Sequence, residues 1–361
     1  MKKLIVLFSA VAALAACSKN EVVPAVSGEN VEISYKVAPR TKADPQTFDT
    51  HNVFASWSYY LPSDKSWSAN QTEAKIYIGK EGEEGATISY GNNVWKDQDA
   101  SYYWPKEGKL TFFAYSLNSK SLTNKFGTDT HFTCLNHESQ YGIFGSLNLD
   151  KHPNTDFLVA DIAADKTANE TAYKFNGVPT LFKHKLSRVK FAVRKKSDYP
   201  GATITLNSIT FKNLVNGMTY SQFWKDANKG IIQDYMFTEG ASRSNQEYTK
   251  TDFPVSSTSF APVPDANEVR YIYIPQNFKD EIATIEVKYT VTLKEGISET
   301  YTKTLKVKDI FDSWEMGKRY TFNLIFSLDE IKWAPAVGDW VDGNNSKEIP
   351  VDGGTTTNEQ N

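Results

Sequence analysis

Only two cysteines, Cys17 and Cys134, and five histidines occur in the 361 residues. Two thiols cannot build a disulfide framework, so stability must come from buried apolar cores. Positive charge is not in excess: 40 Lys and Arg against 43 Asp and Glu give a formal net charge of −3. That balance leaves no electrostatic footprint for nucleic acid. Beyond the first residues, no stretch is apolar for long enough to cross a bilayer as a helix. Nor does any segment keep a capped 3.6-residue period, which argues against folds with crossover helices. Aromatic residues, by contrast, are plentiful. They make up 13% of the chain, with 19 Tyr and 21 Phe, a surplus that leans towards β structure. At this length two domains are expected rather than one.

Lys2 and Lys3 precede an apolar run from Leu4 to Ala13, and small residues follow. The run is too short to span a membrane, so the order is that of a secretory signal. It ends Leu14-Ala15-Ala16-Cys17, which resembles the lipobox of bacterial lipoproteins. That resemblance implies cleavage after residue 16, a diacylglyceryl group on the Cys17 sulfur and a fatty acyl chain such as palmitate on the new amine. Several acyl chains hold a protein durably, whereas one gives marginal binding. The expected location is the surface of the outer membrane. An ordinary signal peptide with a chance cysteine is the plainer alternative. With Cys17 lipidated, Cys134 has no disulfide partner in its own chain.

Residues 17–30 are polar, with Pro, Ser and Gly, and read as a flexible tether. Val31, Ile33, Tyr35 and Val37 then alternate with Glu32, Ser34 and Lys36, the pattern of a half-buried strand. A proline-bracketed polar loop follows, from Ala38 to Pro45. Further on, Lys75 to Ile78, Leu110 to Tyr115 and Phe157 to Ala160 read as short strands. Leu181 to Leu186 with Val189, Phe191 and Val193 forms a long strand or a pair. Ile285 to Leu293 and Tyr301 to Val307 alternate on either side of Lys294-Glu295-Gly296, a hairpin. Tyr320 to Leu328 repeats the pattern. Many short strands between turn signals predict an all-β chain of sandwiches.

Several segments together resemble the fimbrillin family, the subunits and related lipoproteins of type V pili. Trp104-Pro105 precedes Lys109-Leu110-Thr111-Phe112-Phe113-Ala114-Tyr115. Asp156-Phe157-Leu158-Val159-Ala160 precedes the run from Leu181 to Phe191. Tyr271-Ile272-Tyr273-Ile274 ends in Pro275-Gln276, and Trp314-Glu315-Met316-Gly317-Lys318-Arg319-Tyr320-Thr321-Phe322 leads into the closing strand. The resemblance implies two transthyretin-like β-sandwich domains, placed at residues 31–176 and 177–340, before a polar tail at 341–361. It also implies adhesion, assembly with other pilus subunits by donor-strand exchange, and a trypsin-like maturation protease. In such assembly a cut behind the first strand frees it, and a strand of another subunit fills the groove. Here the cut is expected after Arg40 or Lys42, and Val31, Ile33, Tyr35 and Val37 mark the donor-strand groove. Both basic residues also suit a merely solvated loop. Tyr320 to Leu328 and Ile331 to Trp340 are the candidates for the strand a subunit donates.

Catalysis finds little support. His51, His152 and His184 are isolated, no glycine-rich phosphate loop precedes a helix, and no cofactor is implied. His184 is expected to pack on a sheet face with a satisfied ring nitrogen. His131, Cys134 and His137 fall within seven positions, as a soft metal site would need, but on a strand Cys134 points away from both histidines. A different function is glycan binding by a stand-alone surface lipoprotein, with Trp57, Tyr59, Tyr60, Trp67 and Trp95 as a stacking platform. Aromatics in sandwiches more often fill cores.

Overall fold

The alternating segments become strands. The computed structural model describes residues 31–38, 48–80, 85–120, 131–137, 140–150, 155–168, 177–226, 231–237, 242–249, 252–263, 271–328 and 331–339. All fall in the compact unit that starts at Val31. The signal segment, Cys17, the tether, Arg40, Lys42, His152 and the tail from residue 340 lie outside the described residues.

The chain opens with β1 (Tyr35–Ala38), β2 (Val53–Leu61), β3 (Lys75–Ile78), β4 (Ala86–Gly91), β5 (Val94–Asp97) and β6 (Lys109–Ser119). It continues through β7 (His131–His137), β8 (Gln140–Asn148), β9 (Leu158–Ala160), β10 (Ala163–Lys166), β11 (Val178–His184) and β12 (Ser187–Lys195). Next come β13 (Ala202–Val215), β14 (Gly217–Asp226), β15 (Ile231–Phe237), β16 (Arg243–Thr249), β17 (Phe253–Pro254) and β18 (Ala261–Pro262). The last are β19 (Ile272–Tyr273), β20 (Gln276–Asn277), β21 (Thr284–Leu293), β22 (Ser298–Lys306), β23 (Ser313–Trp314), β24 (Lys318–Phe326) and β25 (Ile331–Asp339). Helix among the described residues amounts to one turn, α1 (Trp67–Asn70), and short 3₁₀ turns. None of it is long and apolar enough to cross a membrane.

Nine strands share one sheet, in the order β10-β6-β9-β11-β1-β5-β4-β2-β3, and β6 also pairs with β2. That extra pairing closes seven of them, β1, β5, β4, β2, β6, β9 and β11, into a ring. The β4–β5 hairpin turns at Asn92 and Asn93, both at positive φ (51° and 64°), where asparagine is tolerated and the twist suits a two-residue turn. Inside the ring lie Ile33, Tyr35, Phe54, Trp95, Phe112 and Val178, all buried. Strands β2, β6 and β9 are buried on both faces. Phe54, Phe112 and Ala160 point into the ring, while Trp57, Phe113 and Val159 join a second core under the sheet β15-β14-β8-β7. Leu186, Met218, Tyr220 and Ile272 also belong to this second core, so it draws on both sides of residue 177.

The third core is a two-sheet sandwich. Val189, Phe191 and Val193 on β12 and Tyr320, Phe322 and Leu324 on β24 face Ile204, Phe211, Val287 and Tyr289 on β13 and β21. Burying each such side chain stabilises by about 1.5–3 kcal/mol. The Leu181–Val193 stretch resolves into two strands: β11 completes the ring, and β12 pairs in parallel with β24. The β21–β22 hairpin turns where expected. Gly296 donates to Leu293 O at 2.9 Å, and Tyr289 stacks on Tyr301 at 5.2 Å.

Candidate functional site

The first strand sits in the wall of the ring. Tyr35 to Ala38 run parallel to Val178–Leu181 of β11, and on the other side Tyr35 pairs with Trp95 of β5. Ahead of β1 the chain is already extended. Ile33 N donates to Tyr102 O at 2.7 Å, Trp104 N donates to Val31 O at 2.9 Å, and Val178 N donates to Ser34 O at 2.7 Å. Ile33 and Tyr35 are buried, and Val31 and Val37 are half-buried against the same core. The four alternating apolar residues therefore gather on one face, as expected. Among the described residues no other strand links β11 to β5 in the sheet order.

Three contacts fasten this segment that its own residues do not announce. Lys96 Nζ donates to both carboxylate oxygens of Glu32, each at 2.9 Å, and Ser101 Oγ donates to Glu32 Oε1 at 2.9 Å. The Lys96 hydrogen bond holds the Glu32 carboxyl below its ordinary value, against a smaller opposing effect of burial. Gly177 has φ +128°, and a β carbon there would come within 2.8 Å of the Tyr35 carbonyl carbon. Lys96 and Ser101 lie more than sixty positions from Glu32, and no periodicity could have joined them.

The Tyr35 ring meets Phe54 at 5.4 Å and Phe112 at 5.9 Å, both edge-on. Its hydroxyl makes no hydrogen bond among the described residues. Burial, offset only in part by the Ser56 hydroxyl, pushes the phenol well above its ordinary range. Beyond Ala38, the chain carrying Arg40 and Lys42 re-enters the described residues at Phe48. That ring stacks on Phe182 at 4.9 Å and touches Trp95 at 5.4 Å. The described residues on either side of 39–47 thus both rest on β11: Ala38 opposite Leu181, and Phe48 on Phe182.

The proposed stacking platform is not on the surface. Trp57 and Trp67 are 0% exposed, Tyr59 1% and Trp95 7%: the first three pack in the second core and Trp95 packs in the ring. Tyr60 is half-buried against the ring core. The expectation of sugar stacking on these residues is corrected accordingly. His131–His137 form β7, whose positions 131 and 137 share one face and 134 the other. Among the described residues no three His, Cys, Asp or Glu gather as a metal site. His51 is exposed beside Asp49, whereas His184 is half-buried with Nδ1 2.8 Å from Asp156 Oδ2.

The sequence profile of the fimbrillin-like proteins matches residues 41–340. The chain belongs to that family. Among solved structures, this fimbrillin-like chain is similar to a fimbrial protein from Bacteroides vulgatus, with 16% identity and a TM-score of 0.64. The alignment covers 86% of this chain and all of the other, so the two share a fold. It is also similar to a candidate cell-adhesion protein from Bacteroides uniformis. That protein is 12% identical over 86% of this chain and 99% of its own, with a TM-score of 0.46. No curated protein matches the chain. The family match starts at residue 41, so β1 lies before it.

Proposed function

We propose that this fimbrillin-like chain is a structural, adhesive subunit of a surface pilus, assembled by exchange of its first strand. The observation that carries this is the place of β1: among the described residues it alone bridges β11 and β5, and its loss would open the ring along a groove lined by Trp95 and Val178. An open strand edge with an apolar floor accepts an incoming strand through main-chain hydrogen bonds and alternating pockets. Export as a precursor anchored at Cys17 in the outer membrane is part of the same reading. So is a trypsin-like cut after Arg40 or, second, Lys42, between Ala38 and Phe48, which both rest on β11.

The two-sandwich organisation belongs to this proposal too. Residues 31–176 form the first domain and residues 177–340 the second. Strands β11, β14 and β15 then cross from the second to complete the sheets of the first. The test is to treat purified precursor with trypsin and size the products. A discrete cut in the 39–47 loop followed by ladders of oligomers is expected; a cut chain that stays monomeric overturns the shaft-subunit reading.

A further inference from the structure

The contacts of Glu32 carry a consequence for what can replace it. Three hydrogen bonds converge on this one carboxylate, from Lys96 Nζ to both oxygens and from Ser101 Oγ. The pair is partly shielded, with 26% of the Lys96 side chain and 33% of the Glu32 side chain exposed. Immediately after it, Ile33 and Tyr35 fill the ring. A strand that takes this place therefore meets a cation and a hydroxyl one position before the first apolar pocket. Without a carboxylate, the half-buried ammonium loses its partner on entry.

The sequence contains a matching segment after Asp339. Within the body, the acidic-apolar run Glu286-Val287 is already built into β21, and Asp252-Phe253 leads into β17. Past Asp339 the sequence continues for 22 residues (361 − 339), and there only Glu348-Ile349-Pro350-Val351 repeats the order acid, apolar, any, apolar of Glu32-Ile33-Ser34-Tyr35. Pro350 would stand where Ser34 stands. The Ser34 amide donates to no group among the described residues, so a proline there costs no ladder hydrogen bond. Glu348 is nine residues past Asp339 (348 − 339), a reach of up to about 30 Å when extended, enough to enter a neighbouring molecule.

We propose that Lys96 and Ser101 form a carboxylate seat that selects the strand entering this groove, and that a second copy of the chain supplies it through Glu348. The inference rests on the strand-exchange reading and adds its specificity. The test uses the full chain, nicked by trypsin in the 39–47 loop, and fluorescein-labelled peptides of residues 345–353 and 31–37. Incorporation is followed by anisotropy and native mass spectrometry. The 345–353 peptide is expected to enter, and its Glu348→Gln form to bind about tenfold more weakly or worse. In Lys96→Met that difference should vanish. In Lys96→Glu, a Glu348→Lys peptide should recover binding, which guards against a variant that merely misfolds.

If the 31–37 peptide enters and the 345–353 peptide does not, the second-copy assignment is overturned. Equal binding of charged and uncharged peptides overturns the carboxylate seat. Should neither peptide enter the nicked chain, the fault lies with strand exchange itself.

Discussion

A β carbon at Gly177 would sit 2.8 Å from the carbonyl carbon of Tyr35 and 2.9 Å from the amide nitrogen of Lys36. The first residue before β11 is thus pressed against the backbone of β1, at a φ of +128° that side chains rarely adopt. Gly177→Ala should destabilise the chain by about 2 kcal/mol or more, read as a lower urea midpoint at unchanged slope. The loss should concentrate in β1, with faster hydrogen exchange at the Ile33 amide. An unchanged midpoint would mean that β1 does not need this close approach.

The Lys96 contact makes the hold on the first strand depend on acid. Glu32 is kept below its ordinary pKa of 4.5, chiefly by the Lys96 hydrogen bond. A carboxylate with a depressed folded pKa contributes stability above its unfolded pKa and loses it as pH falls through the folded value. The melting-temperature gap between the natural chain and Glu32→Gln should therefore be constant from about pH 7 to about 5.5 and shrink below about 4.5. A gap that does not vary with pH contradicts the contact.

Tyr35 buries a hydroxyl that forms no hydrogen bond among the described residues. Removing such a group removes its desolvation cost, so Tyr35→Phe should raise unfolding stability by about 1 kcal/mol. A loss of similar size, measured by urea titration, would show that the hydroxyl is satisfied. A stabilised first strand should also slow release of the cut segment.

Trp57 separates core from binding surface. It is fully buried and stacks on Tyr115 at 5.6 Å. Trp57→Ala should cost about 3–5 kcal/mol, whereas Tyr90→Ala, at a 39% exposed position, should cost about 0.5 kcal/mol or less. Thermal melts of the two variants decide this.

Much of the β architecture is legible in single segments. The alternation of residues 31–37, 285–293 and 320–328 announces β1, β21 and β24 because one face of each is buried. Strand β14 escaped because its buried face is mixed. Met218, Tyr220 and Gln222 share it, and Gln222 is 2% exposed and donates to Ala160 O at 2.9 Å. A core glutamine with a distant partner looks like a surface residue in sequence. The aromatics of β2 misled in the opposite sense: Trp57 and Tyr59 on one face and Phe54 on the other serve two cores at once, which depends on strands arriving from far along the chain. At the candidate site the apolar face of β1 was readable. Its fastening by Lys96, Ser101 and Gly177 is a matter of topology alone.

Exchange of the first strand is tested most directly by the N-terminus of the protein in native filaments. Filaments sheared from cells and analysed by mass spectrometry should contain chains that begin at Thr41, or at Ala43 after the second cut, without lipid and without residues 31–38. Filament subunits that still begin at a lipidated Cys17 and retain Ile33 and Tyr35 would contradict it.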